Sequence, residues 1–394
     1  MAKQESNPIL DEQGGKGAAS SETDLPITQR QNEILTAIIL DYIRTVEPVG
    51  SKSLVENFDL NISPATVRNE MAVLEEKGYL THPHASAGRV PTDKGYRFYV
   101  DMSLQPAVLA AEQKAMIREV VRQSVTEVSR LIETAAELLE METGLTAFCI
   151  SPDYTGSTIQ QIRLLLLEPG KALLLVVLKP QLVNDKIVRI PTSLDEEDVA
   201  ILSRSMDQAL AGLPIHDITM ITVTLSDEIA RHADLLTDLS PAFFDAITSE
   251  VTQAISEMKE TDLFLKASYR LLDQPEFADV QVAKEYLACI HDKDCLKKLM
   301  ARDPSFTDHQ PDYSDQMRRF MIKIGSEIGI AGLEGCSFIL SSFDTEPGIQ
   351  GQLGVIGPKR MKYSKVVSNI DFINLTLTEA FRSLMPGSDD ENET

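Results

Sequence analysis

Ser63-Pro64-Ala65-Thr66-Val67-Arg68-Asn69-Glu70-Met71-Ala72-Val73-Leu74-Glu75-Glu76-Lys77-Gly78 punctuates itself as a helix. Ser63 suits the N-cap, Pro64 the first helical position, and Gly78 the left-handed conformation that ends a helix. Val67, Met71 and Leu74 follow one another by four and three, which places them on one buried stripe. The opposite side holds Ala65, Arg68, Asn69, Ala72 and Glu76, with Thr66 at the flank. That face is small at its N-terminal end and carries one Arg and one Asn, the side chains that pair bidentately with guanine and adenine edges in the major groove. A helix face shaped only for water would carry more Lys and Glu. The pattern reads as a DNA recognition helix.

The neighbouring segments fit that reading. Thr28-x-x-Gln31 is a capping-box pattern that opens a helix, and Ile34, Leu35, Ile38, Ile39, Tyr42 and Ile43 form its apolar stripe. Pro48 and Gly50 force a turn into a short helix around Ser51–Asn57, with Leu54 and Val55 inward. Three tightly joined helices with a short second one make a helix-turn-helix. After Gly78, Tyr79-Leu80-Thr81 starts a strand and the chain loops through His82-Pro83-His84-Ala85-Ser86-Ala87-Gly88-Arg89 to Val90-Pro91. This is the layout of a wing, whose small tip residues permit close approach and whose Arg89 suits a narrow minor groove. An ordinary surface hairpin with a solvated Arg89 is the alternative. His82 and His84 flank phosphates or water rather than bind metal. Tyr96, Phe98 and Tyr99 could offer a stacking platform, but such a run more often packs the helix leaving the wing onto its core.

At 394 residues the chain has room for two or three domains, and 43% hydrophobic residues suffice for real cores. No apolar run reaches membrane-span length and no signal peptide opens the chain, so a cytoplasmic location is expected. The net charge of -23 opposes sequence-blind affinity for nucleic acid. Between Pro26 and Val100, however, eight Lys or Arg stand against nine Asp or Glu, so that segment is near neutral. The four cysteines are too few and scattered for a disulfide framework. Cys289-x-His291-x-x-x-Cys295 can be drawn as metal ligands, yet a helical stretch with incidental residues is the plainer reading. Phosphate-loop, H-E-x-x-H and G-x-S-x-G motifs are missing from the sequence, and the acidic groups Asp195–Asp198 and Glu75-Glu76 read as solvated helix faces. An enzyme is not expected, nor a cofactor.

Residues 1–25 are polar and aperiodic, the signature of a disordered tail. A long helical pattern runs from Leu104 to Met141 and closes at Gly144. Strand-like runs follow at Leu145–Ile150, Ile159–Glu168, Ala172–Lys179 and Leu182–Ile190, with a turn at Pro169-Gly170. Leu164–Leu167 and Leu173–Leu178 are nearly continuously apolar, as in strands covered on both faces. From Leu194 to about Asp303 the chain is acidic and mainly helical, with a possible strand at Asp217–Leu225. Strand character returns at Cys336–Phe343 and Gly351–Ile356, and a last helix spans Ser364–Leu384. The expected class is α+β multidomain, with one domain inserted into another.

Three motifs carry a resemblance. Ser63-Pro-Ala-Thr-Val-Arg-Asn-Glu-Met-Ala72, Ser86-Ala-Gly-Arg-Val-Pro-Thr92 with Lys94-Gly-Tyr-Arg-Phe-Tyr-Val-Asp101, and Gly351-Gln-Leu-Gly-Val-Ile-Gly-Pro-Lys-Arg-Met-Lys-Tyr363 closely resemble the HrcA family of heat-inducible transcription repressors. Ala85, Lys359 and Lys362 depart from the family's usual Thr, Thr and Asp. The resemblance implies a winged helix-turn-helix domain at 26–103 and a discontinuous GAF-like domain at 104–193 and 304–384. A mainly helical dimerisation domain at 194–303 would be inserted in it, and the acidic tail at 385–394 looks like an addition outside the resemblance. It further implies repression of chaperone operons by a homodimer bound to double-stranded DNA at an inverted-repeat operator, kept active by a GroE-type chaperonin and silenced by heat. On this reading Arg68 and Asn69 read base edges, Ser63 and Thr66 contact phosphate at the helix N-terminus, Lys52 contacts backbone, and Ser86, Gly88 and Arg89 form the wing contact. A ligand-sensing regulator, with a pocket along Gly351–Tyr363, is the alternative, although glycines there also ease turns and strand packing.

Overall fold

The structure, a computed structural model, describes residues 27–384 except 59, 85–86, 126–127, 153–155, 180–181, 232–240, 258–262, 301–318 and 347–348. Both tails expected from the sequence lie outside the described residues. The chain divides into two compact units, Met1–Tyr99 and Val100–Thr394.

In the first unit, helix α1 (Gln29–Thr45) opens on the expected capping box: Thr28 accepts from the Gln31 N–H, and the Gln31 side chain accepts from the Thr28 N–H. Ile34, Leu35, Ile38 and Ile39 of its stripe are buried. Helix α2 (Ser51–Asn57) sinks Leu54, and helix α3 (Pro64–Glu76) sinks Val67, Met71 and Leu74. Gly78 then adopts φ +78°, and strands β1 (Leu80–Thr81) and β2 (Val90–Pro91) pair antiparallel. Val49, between α1 and α2, bridges Arg89, on the loop side of this ribbon. Helix α4 (Asp93–Met102) follows. Tyr96 and Tyr99 on it are buried, and the Phe98 ring meets Tyr79 edge-on at 5.5 Å. The aromatic run therefore packs inward and offers no stacking platform.

In the second unit, the single long helix expected from Leu104 to Met141 is two: α5 (Ala111–Gln123) and α6 (Val128–Thr143). The break sits at buried Ser124, whose hydroxyl donates back to the Val120 carbonyl and accepts from Thr134 on α6 at 2.9 Å. An apolar spacing by threes and fours continues across a turn of this kind, which hid the break. Gly144 closes α6 at φ +68°. The chain then forms two sheets. Strand β3 (Thr146–Ile150) enters a five-stranded antiparallel sheet, whereas β4 (Thr158–Glu168), β5 (Lys171–Lys179) and β6 (Leu182–Arg189) make a three-stranded antiparallel sheet of their own.

Helix α7 (Glu196–Leu210) packs against β4 and α9 (Pro241–Glu257) against β6, with α8 (Ile218–Arg231) packed between the two helices. Helix α7 also seals the β4 edge: the Ile162 N–H donates to Asp207 and the Leu164 N–H to Ser203, each at 2.9 Å. Edge amides satisfied in this way are closed to further strand pairing. The possible strand at Asp217–Leu225 is instead the start of α8. Asp217 caps it by accepting from the Met220 N–H at 2.9 Å, and buried Ile221 and Leu225 stand one helical turn apart.

The five-stranded sheet has the order β7-β3-β10-β9-β8, with β7 (Leu263–Lys266), β8 (Phe320–Ile324), β9 (Cys336–Glu346) and β10 (Ile349–Pro358). Helices α6 and α12 (Tyr363–Leu384) cover it, with Phe148 stacked on Phe338 at 5.3 Å and Phe343 on Phe381 at 5.8 Å. These topologies move the expected domain boundaries. Strands β4–β6, expected in the GAF-like part, belong with α7–α9, and β7, expected inside the insert, pairs with β3. Composition marked where helices begin, but strand pairing decides which sheet a strand joins.

Two further expectations change. Helix α10 (Val280–His291) ends at Asp292 and α11 (Lys293–Met300) turns back, so Cys289 and Cys295 meet as a disulfide with Cα atoms 5.4 Å apart. They are neither metal ligands nor incidental. The apolar strands β4 and β5 are covered on one face only. Ile162, Leu164, Leu174 and Val176 are buried beneath α7–α9, whereas Leu165, Leu167, Val183 and Ile187 are 48–61% exposed on the other side.

Candidate nucleic-acid interface

The candidate interface is built on α3. Its buried stripe faces α1 and α2, and the alternate side leaves Ala65, Arg68, Asn69 and Ala72 exposed. Arg68 and Asn69 thus stand together on a helix held firmly from behind. The side chains on either flank are small, so the helix backbone has no bulk to keep it from a groove wall. Ser63 caps the helix, accepting from the Thr66 N–H at 3.1 Å, and its hydroxyl lies 2.9 Å from the Thr66 hydroxyl. Both hydroxyls sit where the helix presents its positive end. Lys52 on α2 is 85% exposed, and its contact with Glu56 is a loose 4.0 Å. Such a surface pair holds a lysine weakly and leaves it free to follow phosphate.

The hairpin behaves differently from its sequence expectation. Ser86 lies outside the described residues. Gly88 is pressed on the α1–α2 connection: a Cβ there would fall within 2.6 Å of the Pro48 carbonyl oxygen. Only glycine lets the two backbones approach this closely. Arg89 is not solvated. Its Nη2 pairs with Glu75 Oε2 at 2.7 Å, and its side chain is 24% exposed. The other carboxylate oxygen of Glu75 meets His82 Nδ1. Spacing gives no hint of this arrangement, because the three residues are far apart in sequence and come together only when the hairpin folds over the end of α3. Glu75, read from the sequence as a solvated acid, is the residue that sequence reasoning missed.

The glycines of the segment Gly351–Tyr363 are closely packed against neighbouring strands. A Cβ on Gly354 would overlap the Ile339 carbonyl oxygen and the Phe148 ring, and one on Gly357 would stand 2.7 Å from Leu145. Arg360 forks onto Glu276, donating from Nε at 2.6 Å and Nη2 at 3.2 Å, and the Tyr363 hydroxyl donates to the Lys359 carbonyl at 2.7 Å. The motif is packing and cross-bracing. Elsewhere in the second unit, a cleft of 170 Å³ lies between Leu109, Phe320 and Phe372. This is small beside the 300–1,000 Å³ or so typical of ligand sites.

Residues 129–367 match the family model described as the HrcA protein C terminal domain. The chain is 33% identical over 359 residues to the heat-inducible transcription repressor HrcA of Desulforudis audaxviator (strain MP104C), covering 91% of this chain and 99% of that protein. The chain belongs to the HrcA family of heat-inducible transcription repressors. The HrcA of Pelotomaculum thermopropionicum is 32% identical over 365 residues, covering 92% of this chain and 99% of the relative. One solved structure, described as that of a hypothetical protein at 2.2 Å resolution, shares the fold with a TM-score of 0.59 at 21% identity, covering 91% of this chain and all of the other. HrcA membership accounts for both the N-terminal and the C-terminal motifs, which lie about 250 residues apart in this chain. No helix among the described residues is long and apolar enough to cross a membrane.

Proposed function

We propose that this protein represses chaperone operons by binding an inverted-repeat operator as a homodimer in the cytoplasm, through a winged helix-turn-helix domain spanning 26–103. The observation that carries the reading is the exposed Arg68-Asn69 pair on an α3 backed by α1 and α2. Arg68 and Asn69 read base edges, while Lys52, Ser63, Thr66 and Ser86 hold the phosphate backbone. Gly88 and Arg89 serve through the shape of the hairpin. By the family's example, a GroE-type chaperonin maintains the active repressor, and heat relieves repression when unfolded clients compete for it.

The dimer forms through the inserted domain, which sheet topology supports at 158–257 rather than 194–303, within a GAF-like domain built on the five-stranded sheet. The uncovered face of β4–β6 is its contact surface. Register places Leu165, Leu173 and Ile187 in one row across that face, Arg163, Leu175 and Asp185 in the next, and Gln161, Val177 and Val183 beyond. A two-fold axis parallel to the strands lays β4 of one copy over β6 of the other. Leu165 then meets Ile187 of the second copy, and Arg163, whose guanidinium also pairs with Asp207 at 3.2 Å, stands over Asp185, so the face is complementary to itself, as an isologous interface requires.

The test is binding of purified protein to a labelled inverted-repeat duplex and to a scrambled one at one near-physiological salt, with and without chaperonin and ATP. Preference for the repeat of about a thousandfold or more is expected, and Arg68→Ala should cost about 1–3 kcal/mol and relax preference at one base pair in each half-site. Equal, weak binding of folded protein to both duplexes would sink the reading.

A further inference from the structure

Glu75 lies on the last turn of α3, one residue beyond buried Leu74 and turned toward the hairpin rather than the Arg68-Asn69 face. Its two oxygens serve different arms of that hairpin. Oε1 meets His82, just after β1, and Oε2 accepts from Arg89, just before β2. One carboxylate therefore grips both arms where the loop leaves the ribbon. Arg89 is also tied at its backbone, which exchanges two hydrogen bonds of 2.9 Å with Val49. Its Nε is buried without a hydrogen-bond partner among the described residues. A guanidinium fixed where the loop leaves the ribbon, paired and three-quarters covered, is badly placed to enter a groove. The β1–β2 ribbon itself is only two residues per strand, and isolated two-stranded ribbons are marginal in water. Something outside the ladder must set the direction of the loop. The ion pair is also electrically neutral toward phosphate, so an acid can sit beside DNA here without repelling it.

We infer that Glu75 is a positioning residue for DNA recognition: it fixes the direction in which the wing leaves α3, and Arg89 belongs to this clamp rather than to the DNA-contacting set. The inference rests on the DNA-binding reading of the first unit. It accounts for an acid on a recognition helix.

The test uses full-length protein as wild type, Glu75→Ala, Arg89→Ala and the double variant, with two readouts. Without DNA, hydrogen exchange of the 80–91 amides should quicken at least tenfold in every variant while the buried 34–39 amides of α1 keep their protection, which also shows the variants are folded. On the inverted-repeat duplex each single variant should bind about tenfold more weakly, and the double no more weakly than either single, because one clamp is lost once. The salt slope should not change, since no phosphate contact is removed. Dimethyl sulfate protection of major-groove guanines should persist, while hydroxyl-radical protection in the flanking minor groove fades. Tighter binding by Glu75→Ala with a salt slope about one lower for Arg89→Ala would overturn the inference, making Arg89 a phosphate contact that Glu75 restrains. Unchanged exchange at 80–91, or additive losses, would overturn it equally. If wild type shows no operator preference, the DNA reading fails, while the exchange measurement still decides whether the clamp exists.

Discussion

Replacing Ile187 with Asp tests the proposed contact surface without touching the core of the protomer. Ile187 is 60% exposed and Leu165, which would face it in the second copy, is 48% exposed. Fully burying a Leu or Ile side chain is worth about 1.5–3 kcal/mol, so covering the remaining half of each yields about 1 kcal/mol per residue. Ile187→Asp removes the Ile term and leaves the opposing Leu165 against a carboxylate, a loss of about 2 kcal/mol per contact. Two-fold symmetry makes the contact twice, giving about 4 kcal/mol in all, or roughly a thousandfold in the dimer dissociation constant at 1.4 kcal/mol per decade. Within one protomer the same change alters an exposed strand position and should move stability by no more than about 0.5 kcal/mol. Sedimentation equilibrium over a concentration series reads the dimer constant, and thermal unfolding of the dilute protein reads the protomer. Val223→Asp is the matched control. Val223 is 55% exposed on α8, part of the helical layer that covers the opposite face of the sheet, and should leave the dimer intact. A dimer constant for Ile187→Asp within threefold of wild type would refute the assignment of this face.

Two other consequences concern the five-stranded sheet. Gly354→Ala should destabilise the protein by at least about 1–3 kcal/mol, because the new methyl meets the backbone oxygen of Ile339 on the neighbouring strand as well as the Phe148 ring. Urea unfolding checks this, and because a carbonyl in a ladder cannot retreat, Phe148→Leu in the same chain should not restore the midpoint. Burial pushes the Cys336 thiol up to about 12 and holds Cys149 still further above the ordinary thiol range. The folded state keeps these protons while the unfolded chain loses them above a pH of about 8.5. Their contribution is therefore whole below that pH and is lost as pH rises toward the folded values, at about 1.4 kcal/mol per pH unit for each thiol. Cys336→Ala should lose less stability than wild type between pH 8 and pH 10, by about 2 kcal/mol, in urea titrations at the two pH values. Parallel losses in both proteins would show that Cys336 ionises in the folded state.

What the sequence disclosed and what it withheld divide along the range of the interactions. The first unit was legible because its signals are local. A capping box at Thr28, a proline at Pro64, a left-handed glycine at Gly78 and stripes spaced by three and four are each readable within a few residues, and each reappears in the structure. The exposed Arg68-Asn69 face follows from the same periodicity. The clamp at Glu75 was not legible, because its partners stand 7 and 14 residues away across a turn whose fold had to be known first. The Arg360–Glu276 fork, 84 residues apart, is beyond any spacing rule, and so is the choice of sheet for β7. The strands β4 and β5 mark a subtler limit. Their continuous apolar runs implied two covered faces, yet in the protomer one face is bare. The inference from sequence was about coverage, and composition cannot say which chain supplies the cover. A bare sheet face with Leu165 and Ile187 at either edge of one row, and Arg163 and Asp185 at either edge of the next, is what a strand pair written for two covered faces looks like before its second copy is added. On that reasoning the misfit between sequence and protomer is itself an argument for the dimer.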